Sequence, residues 1–352
     1  GRFAEANRHP RYIALLSLSP RFESGQVLSV VLAGSALIAT SLLCARRFGL
    51  ATAGCFAVLL ATNAAFCRFA TSVVCEVLVV LLTGLAWFAW TAPERPAASP
   101  PPEPLERATC GRWAFVGTLL ALVWLTKATG LLLTVAAAAW LGWNVWHGRF
   151  NRRWLLATAA FGVAWCVVAS PLLVRNFRLF GNPVYNVNSK LLFADAYSSA
   201  VLNSPESTRE LARRYWRTHG VADIVEREVR GLVWETFILL RSLGPPPLDD
   251  SRVLVGGILA LLACVGGTAC PAAGRVTLLW TAVLVPVFAW YVPVAAGERF
   301  VMPLLVPLLA LAAHGAVVVL GATADDRGRT GGWLVAGALA WCGVWTAATW
   351  LA

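Results

Sequence analysis

The chain has 352 residues, of which 58% are apolar, only 13% are charged and 17 are tryptophan. A mean hydropathy of +0.67, with several continuous Ala/Leu-rich runs of ~20 residues, excludes a soluble domain and an alternating β-barrel. It predicts an all-α, polytopic helical membrane protein. The formal net charge of +11 does not imply a nucleic-acid partner, because the basic residues are spread over loops between spans, as the positive-inside rule requires.

In chain order, "RYIALLSLSP" (11–20) is too short to cross a bilayer and reads as interfacial. Spans are predicted at about 26–45, 50–67, 71–92, 113–126, 129–146, 154–174, 253–272, 276–295, 300–320 and 332–351, about ten in all. The loop "PERPAASPPPEPLERATCG" (93–111) is a Pro-rich linker with no fold of its own. Three parts follow: a transmembrane part at 1–174, an extracytoplasmic loop at 175–251, and C-terminal transmembrane helices at 252–352. Within the loop, "SPESTRELARRYWRTHG" and "VADIVEREVRGLVWETFILLRSLG" predict two amphipathic helices. Ser204 and Ser207 are the candidate N-caps and Gly220 a stop.

Short loops set the topology. One group carries Arg46 and Arg47; Arg95, Arg107 and Arg112; Arg149, Arg152 and Arg153; Arg275; Arg327 and Arg329. The alternate loops carry only Arg68, Lys127 and Arg299. The first group is therefore predicted to be cytoplasmic, and the alternation supports counting 113–126 and 129–146 as separate spans. On this topology Glu76, Lys127, Arg175 and Arg299 all fall at outer span ends, beneath the 175–251 loop. The expected location is the cell membrane, with an active site on the extracytoplasmic side. The nine cysteines lie mostly in spans, there is no CxxC, and the four histidines are far apart. Cysteine here reads as a small packing residue, with no zinc site or disulfide framework.

Glu76 lies in "TSVVCEVLVVLLTGLAWFAWTA", about one turn inside the expected span. An ionised carboxylate at bilayer depth costs about 2.5–3.5 kcal/mol, so a partner, a cavity or chemistry must offset it. The structural alternative is an ion pair with Arg68 or Arg299. Lys127, in "WLTKATGLLL", either snorkels or binds an anionic headgroup, with Gly130 letting the headgroup approach the backbone. In "SPLLVRNFRLFGNPVYN" (170–186) a span is predicted to end at Pro171–Val174, followed by Arg175 and Asn176 at the surface, a turn at Gly181-Asn182-Pro183 and an interfacial Tyr185. In "GERFVMPLLVPLLALAA" the planar fork of Arg299 suits phosphate; the alternatives are an interfacial anchor or pairing with Glu298.

These strings resemble those of the bacterial GT-C fold glycosyltransferases of the dolichyl-phosphate-mannose–protein mannosyltransferase-like group (glycosyltransferase family 39), which includes the aminoarabinose transferases. "HPRY" (9–12) is similar to that family's HPPLY, and "FATSVVCEVLVVLL" to its sEpl span, with Glu76 at the second acidic position. "LTKATGLL" is similar to LTKGxGLL, "LLVRNFRLFGNPVYN" to PWxxRNxxxFGNPxY, and "ERFVMPLLVPLLALAA" to ERYLLPxxPxLxLLAA. The strings occur in the family's order along nearly the whole chain. Arg11 stands where the family has its second Pro, and Val77 follows Glu76 where the family has Pro.

The resemblance implies an inverting sugar transfer from a polyprenyl-phosphate donor to a protein, lipid or glycan acceptor on the extracytoplasmic face. Glu76 would be catalytic, Lys127, Arg299 and Arg175 would bind the donor phosphate, and His9, Arg11, Asn176, Asn182 and Tyr185 would form a substrate loop. A divalent metal is possible in this family, though the residues suggest no dedicated metal cluster. The family's main catalytic Asp and first span would lie upstream of Gly1. The competing readings are a transporter or flippase of a lipid-linked or anionic substrate, and a non-catalytic membrane protein of the same fold.

Overall fold

The computed structural model describes Ser17 and residues 22–92, 105–244 and 252–321. His9, Arg11, most of 93–111 and the span expected at 332–351 lie outside the described residues or at their edge. Among the described residues all regular structure is helical. The helices are α1 (Phe22–Phe48), α2 (Leu50–Ala61), α3 (Ala64–Ala70), α4 (Glu76–Trp90), α5 (Leu105–Thr126), α6 (Thr129–His147), α7 (Arg152–Phe180), α8 (Ser199–Asn203), α9 (Thr208–Thr218), α10 (Val221–Leu243), α11 (Arg252–Ala269), α12 (Pro271–Tyr291) and α13 (Met302–Val319). Seven of them are long and apolar enough to cross a membrane, or up to eight if α2 and α3 form one broken span. The protein is a polytopic helical membrane protein; helices satisfy every backbone group internally, as hydrocarbon demands.

α4 and α13 form the centre. Nearly all of α4 is buried, and α13 is buried along most of its length. By contrast α1, α7 and α11 turn rows of Val, Ile and Leu outward, such as Val27, Val31, Val163, Val167, Leu254 and Leu261, as lipid-facing spans do. Small residues let the backbones approach. A Cβ added to Gly315 of α13 would lie 2.0 Å from the Leu262 carbonyl oxygen of α11, and one on Gly266 would lie 2.0 Å from the Leu311 oxygen. This is small-residue helix packing of the kind membranes favour.

The elements differ from expectation at three places. The span expected at 50–67 is broken at Thr62–Asn63, and α2 and α3 meet at 63°. Asn63 causes the break. Its Oδ1 accepts from Phe66 N at 2.9 Å, capping α3, and its Nδ2 donates to the Ser242 carbonyl of α10 at 2.8 Å. The span expected to end at Pro171–Val174 instead continues to Phe180. The Val167 carbonyl that Pro171 cannot bond is taken by the Ser170 hydroxyl at 2.8 Å, so the helix passes through. In the 175–251 loop, Ser207 caps α9 with a full capping box to Glu210, but Ser204 ends α8 and Gly220 precedes α10 rather than stopping α9. The short helix α8 and the 3₁₀ turn Val187–Phe193 had no signal in the periodicity.

The bundle has two chemically distinct ends. α5 and α7 run parallel: Gly117 abuts the Phe161 carbonyl, and Ala121, Trp124 and Leu125 pack with Ala169 and Leu172 further along. Lys127 and Arg175 thus emerge at the same end. The opposite end gathers Arg47, which reaches Cys270 Sγ at 3.4 Å, Arg112 on the Ala92 carbonyl and Arg153 on Thr109.

Gly315→Val should drive Cβ into the α11 backbone and destabilise the bundle by about 1–3 kcal/mol. The expected result is a lower thermal midpoint in detergent, with Gly142→Val, which meets nothing within 4 Å, unchanged as control.

Candidate functional site

Residues 71–75 are unwound, so Glu76 is the first residue of α4 and not one turn inside it. The free N–H groups and dipole of a helix N-terminus favour a carboxylate there. Glu76 is buried, and its Oε1 lies 3.2 Å from the Lys127 Nζ. Lys127 occupies the break between α5 and α6 and also donates to the Arg299 carbonyl oxygen at 2.7 Å. Its ammonium stands 5.6 Å from the Phe300 ring centroid. Burial pulls the Lys127 ammonium below the usual lysine value, and Glu76 pushes it back up. Gly130 has a packing role instead of exposing backbone to a headgroup: a Cβ there would lie 2.2 Å from Trp124 N, so it lets α6 turn tightly against α5.

The hub is the turn Gly297–Phe300. Gly297 holds φ at 149°, a conformation suited to glycine. Glu298 is buried between Arg68, from the last turn of α3, and Arg252, the first residue of α11, at 3.2 Å. Arg68 and Arg299 therefore do not pair with Glu76, and Arg299 does not pair with Glu298. Arg299 is exposed, stands over the Phe300 ring at 5.1 Å, and makes no ion pair with a described residue. Phe300 packs against Phe288 and Tyr291 of α12 at 4.8 and 5.9 Å. Arg68, Lys127, Arg252 and the exposed Arg299 thus gather around Glu76 and Glu298 at one end of the bundle. Arg252 escaped the sequence reading, although a lone Arg opening an apolar helix is the same signal that marked Arg299.

The other expected site residues have local structural roles. Asn176 is buried and its Nδ2 donates to the carbonyls of Pro183 and Tyr185 at 3.3 and 3.2 Å. Asn182 Oδ1 accepts from Val184 N at 3.0 Å, Gly181 ends α7 at φ 68°, and Tyr185 stacks on Phe180 at 4.2 Å. The string "RNFRLFGNPVY" is therefore a helix exit folded back on itself. Arg175 is half-buried at the same end as Lys127, but makes no ion pair with a described residue, Glu76 included.

The 175–251 loop is joined to this hub through α12. Leu191 and Ala194 pack on Val294 and Tyr291. The Arg227 guanidinium lies 4.4 Å over Trp290, donates twice to its carbonyl, and reaches Tyr215 Oη at 3.0 Å and Asp195 Oδ1 at 3.5 Å. His219 Nε2 faces Asp195 Oδ2 at 3.3 Å. On α10, outside the spans, Glu235 is fully buried with no hydrogen-bond partner among the described residues. Burial pushes its carboxyl up from 4.5 to about 7. Among the described residues no three His, Cys, Asp or Glu side chains converge as a metal site would require.

No protein-family model matches the chain, and no curated protein matches it. Among solved structures, the crystal structure of ArnT from Cupriavidus metallidurans in the apo state is 12% identical over 83% of this chain, with a TM-score of 0.28. The match covers 63% of that chain. A superposition this loose decides neither fold nor activity.

Two outcomes follow from the charges. Glu298→Gln removes the buried carboxylate that bridges Arg68 and Arg252 and should cost about 3 kcal/mol, read as a lower thermal midpoint. Glu235 binds its proton more tightly folded than unfolded, so its contribution to stability is full below pH 4.5 and is lost as pH rises through about 7. Glu235→Gln should abolish that slope and stabilise the protein at pH 8 by about 3 kcal/mol, checked by thermal midpoints across pH.

Proposed function

We propose that this protein is an integral membrane glycosyltransferase of GT-C type, moving a sugar from a polyprenyl-phosphate donor to an acceptor at the outer membrane face. One observation carries this: Lys127, Glu76 and the turn of the exposed Arg299, far apart in sequence, meet at one end of the bundle. That end is opposite the Arg-rich loops, so the positive-inside rule makes it the extracytoplasmic end.

Two of the three Lys127 donors are engaged, which leaves the third for a phosphate oxygen. The exposed Arg299 fork supplies a second contact, and Arg175 lies at the same end. Cations in this position stabilise the charge that develops on the leaving polyprenyl phosphate. An acceptor hydroxyl attacks the anomeric carbon from the face opposite the phosphate. The new C–O bond forms as the bond to the phosphate oxygen breaks, and the electron pair leaves on the phosphate. The acceptor's proton passes to a carboxylate. Glu76 is assigned that part, because a donor phosphate that draws Lys127 toward itself frees Oε1. The loop joined to Trp290 limits water at the reacting centre.

A second reading has its own observation: the buried Glu76–Lys127 pair is also what a helix lock looks like. Transfer of labelled sugar from a polyprenyl-phosphate donor by the intact protein in nanodiscs separates the two. Lys127→Ala and Glu76→Gln should each lower transfer at least ~100-fold, with Arg299→Ala losing roughly tenfold. Full transfer by both variants at lowered thermal midpoints would make the pair a lock. Vectorial uptake with no covalent product would make the protein a transporter.

A further inference from the structure

We propose that α9 is a docking surface for anionic phospholipid headgroups of the bilayer around the protein. Helix α9 carries Arg209, Arg213, Arg214 and Arg217 against a single acid, Glu210, which is held in the capping box by Ser207. Arg214 is committed to Glu206 at 2.8 Å. Arg209, Arg213 and Arg217 follow one another at i, i+4 spacing, which sets them on one face about 6 Å apart. All three are exposed, and none makes an ion pair with a described residue. The opposite face buries Leu211 and Tyr215. Three exposed guanidiniums over about two turns of one helix, none in an ion pair with a described residue, call for an anionic surface.

The depth of the helix selects the partner. Trp216, 56% exposed and flanking the arginine row, stacks on Trp290 at 6.3 Å, and Tyr215 meets the same ring edge-on at 5.7 Å. Trp290 is in the last turn of α12, one of the helices that cross the membrane. The stack therefore pins α9 to the level where a span leaves hydrocarbon, which is where tryptophan and headgroup phosphates both reside. The neighbouring α10 presses Gly231 onto the Ala289 carbonyl of the same turn and leaves Val221, Val225, Val229 and Val233 exposed as a row. An exposed valine row at span-end depth is what an interfacial helix shows to lipid. Arg227, clamped on Trp290, donates to Tyr215 Oη at 3.0 Å and so fixes the helix that carries the arginines. This surface is independent of the Glu76–Lys127 site and of the reaction assigned to it.

The test uses the intact protein in neutral detergent, titrated with fluorescent phosphatidylglycerol or phosphatidylcholine and read by anisotropy. The wild type should bind phosphatidylglycerol at least tenfold more tightly, and high salt should erase the preference. R209Q/R213Q/R217Q should weaken phosphatidylglycerol binding by roughly 100-fold, at about tenfold or less per arginine, and leave phosphatidylcholine binding unchanged. R209K/R213K/R217K should restore most of it, which separates lost charge from a damaged fold. Equal binding of the two lipids by the wild type, or an undiminished preference in the glutamine variant at an unchanged thermal midpoint, would overturn the proposal. So would competition by inorganic phosphate at the same concentration as the lipid, which would mark a free-anion site.

Discussion

The end of the bundle that holds the candidate site depends on one largely buried ammonium. The Lys127 charge is held there by Glu76 at 3.2 Å and the Arg299 carbonyl at 2.7 Å. Those two partners belong to α4 and to the turn before α13, and Lys127 itself belongs to the α5–α6 break. One side chain therefore fixes three parts of the chain against each other. Each partner is in turn explained locally: Glu76 by the helix N-terminus it opens, and the Arg299 carbonyl by the turn that Gly297 permits.

The second carboxylate extends this arrangement. Glu298 ties α3 and α11 to the same turn through Arg68 and Arg252. The exposed Arg299 makes no ion pair with a described residue and is left facing outward. The 175–251 loop is held to this hub by Trp290, whose carbonyl and ring both engage Arg227, so loop and hub share α12 as their common support.

Much of this was legible in the chain. Long apolar runs fixed the helical class, since only helices satisfy backbone groups within one apolar segment. The alternation of basic loops placed Glu76, Lys127, Arg175 and Arg299 at one end, and Glu76, Lys127 and the Arg299 turn do meet there. Other features were illegible for identifiable reasons. Asn63 breaks an apolar run by bonding to Ser242, a partner distant in sequence. Pro171 fails to end its helix because a neighbouring serine takes up the orphaned carbonyl. The string "RNFRLFGNPVY" looks like a ligand loop in one dimension and is a self-bonded helix exit in three.

By itself, then, the sequence determined the membrane class and which ionisable residues share an end, because these follow from hydropathy and loop charge along the chain; it overcounted the spans, since the run at 71–92 yields only the 15-residue α4. Only the tertiary structure decided the pairing: Lys127 with Glu76 and the Arg299 carbonyl, and Glu298 with Arg68 and Arg252. Periodicity and charge say where along a helix a group lies, but which opposite charge neutralises it is set by how helices far apart in sequence approach one another. That approach is governed by small residues such as Gly266 and Gly315, whose effect exists only once the helices pack.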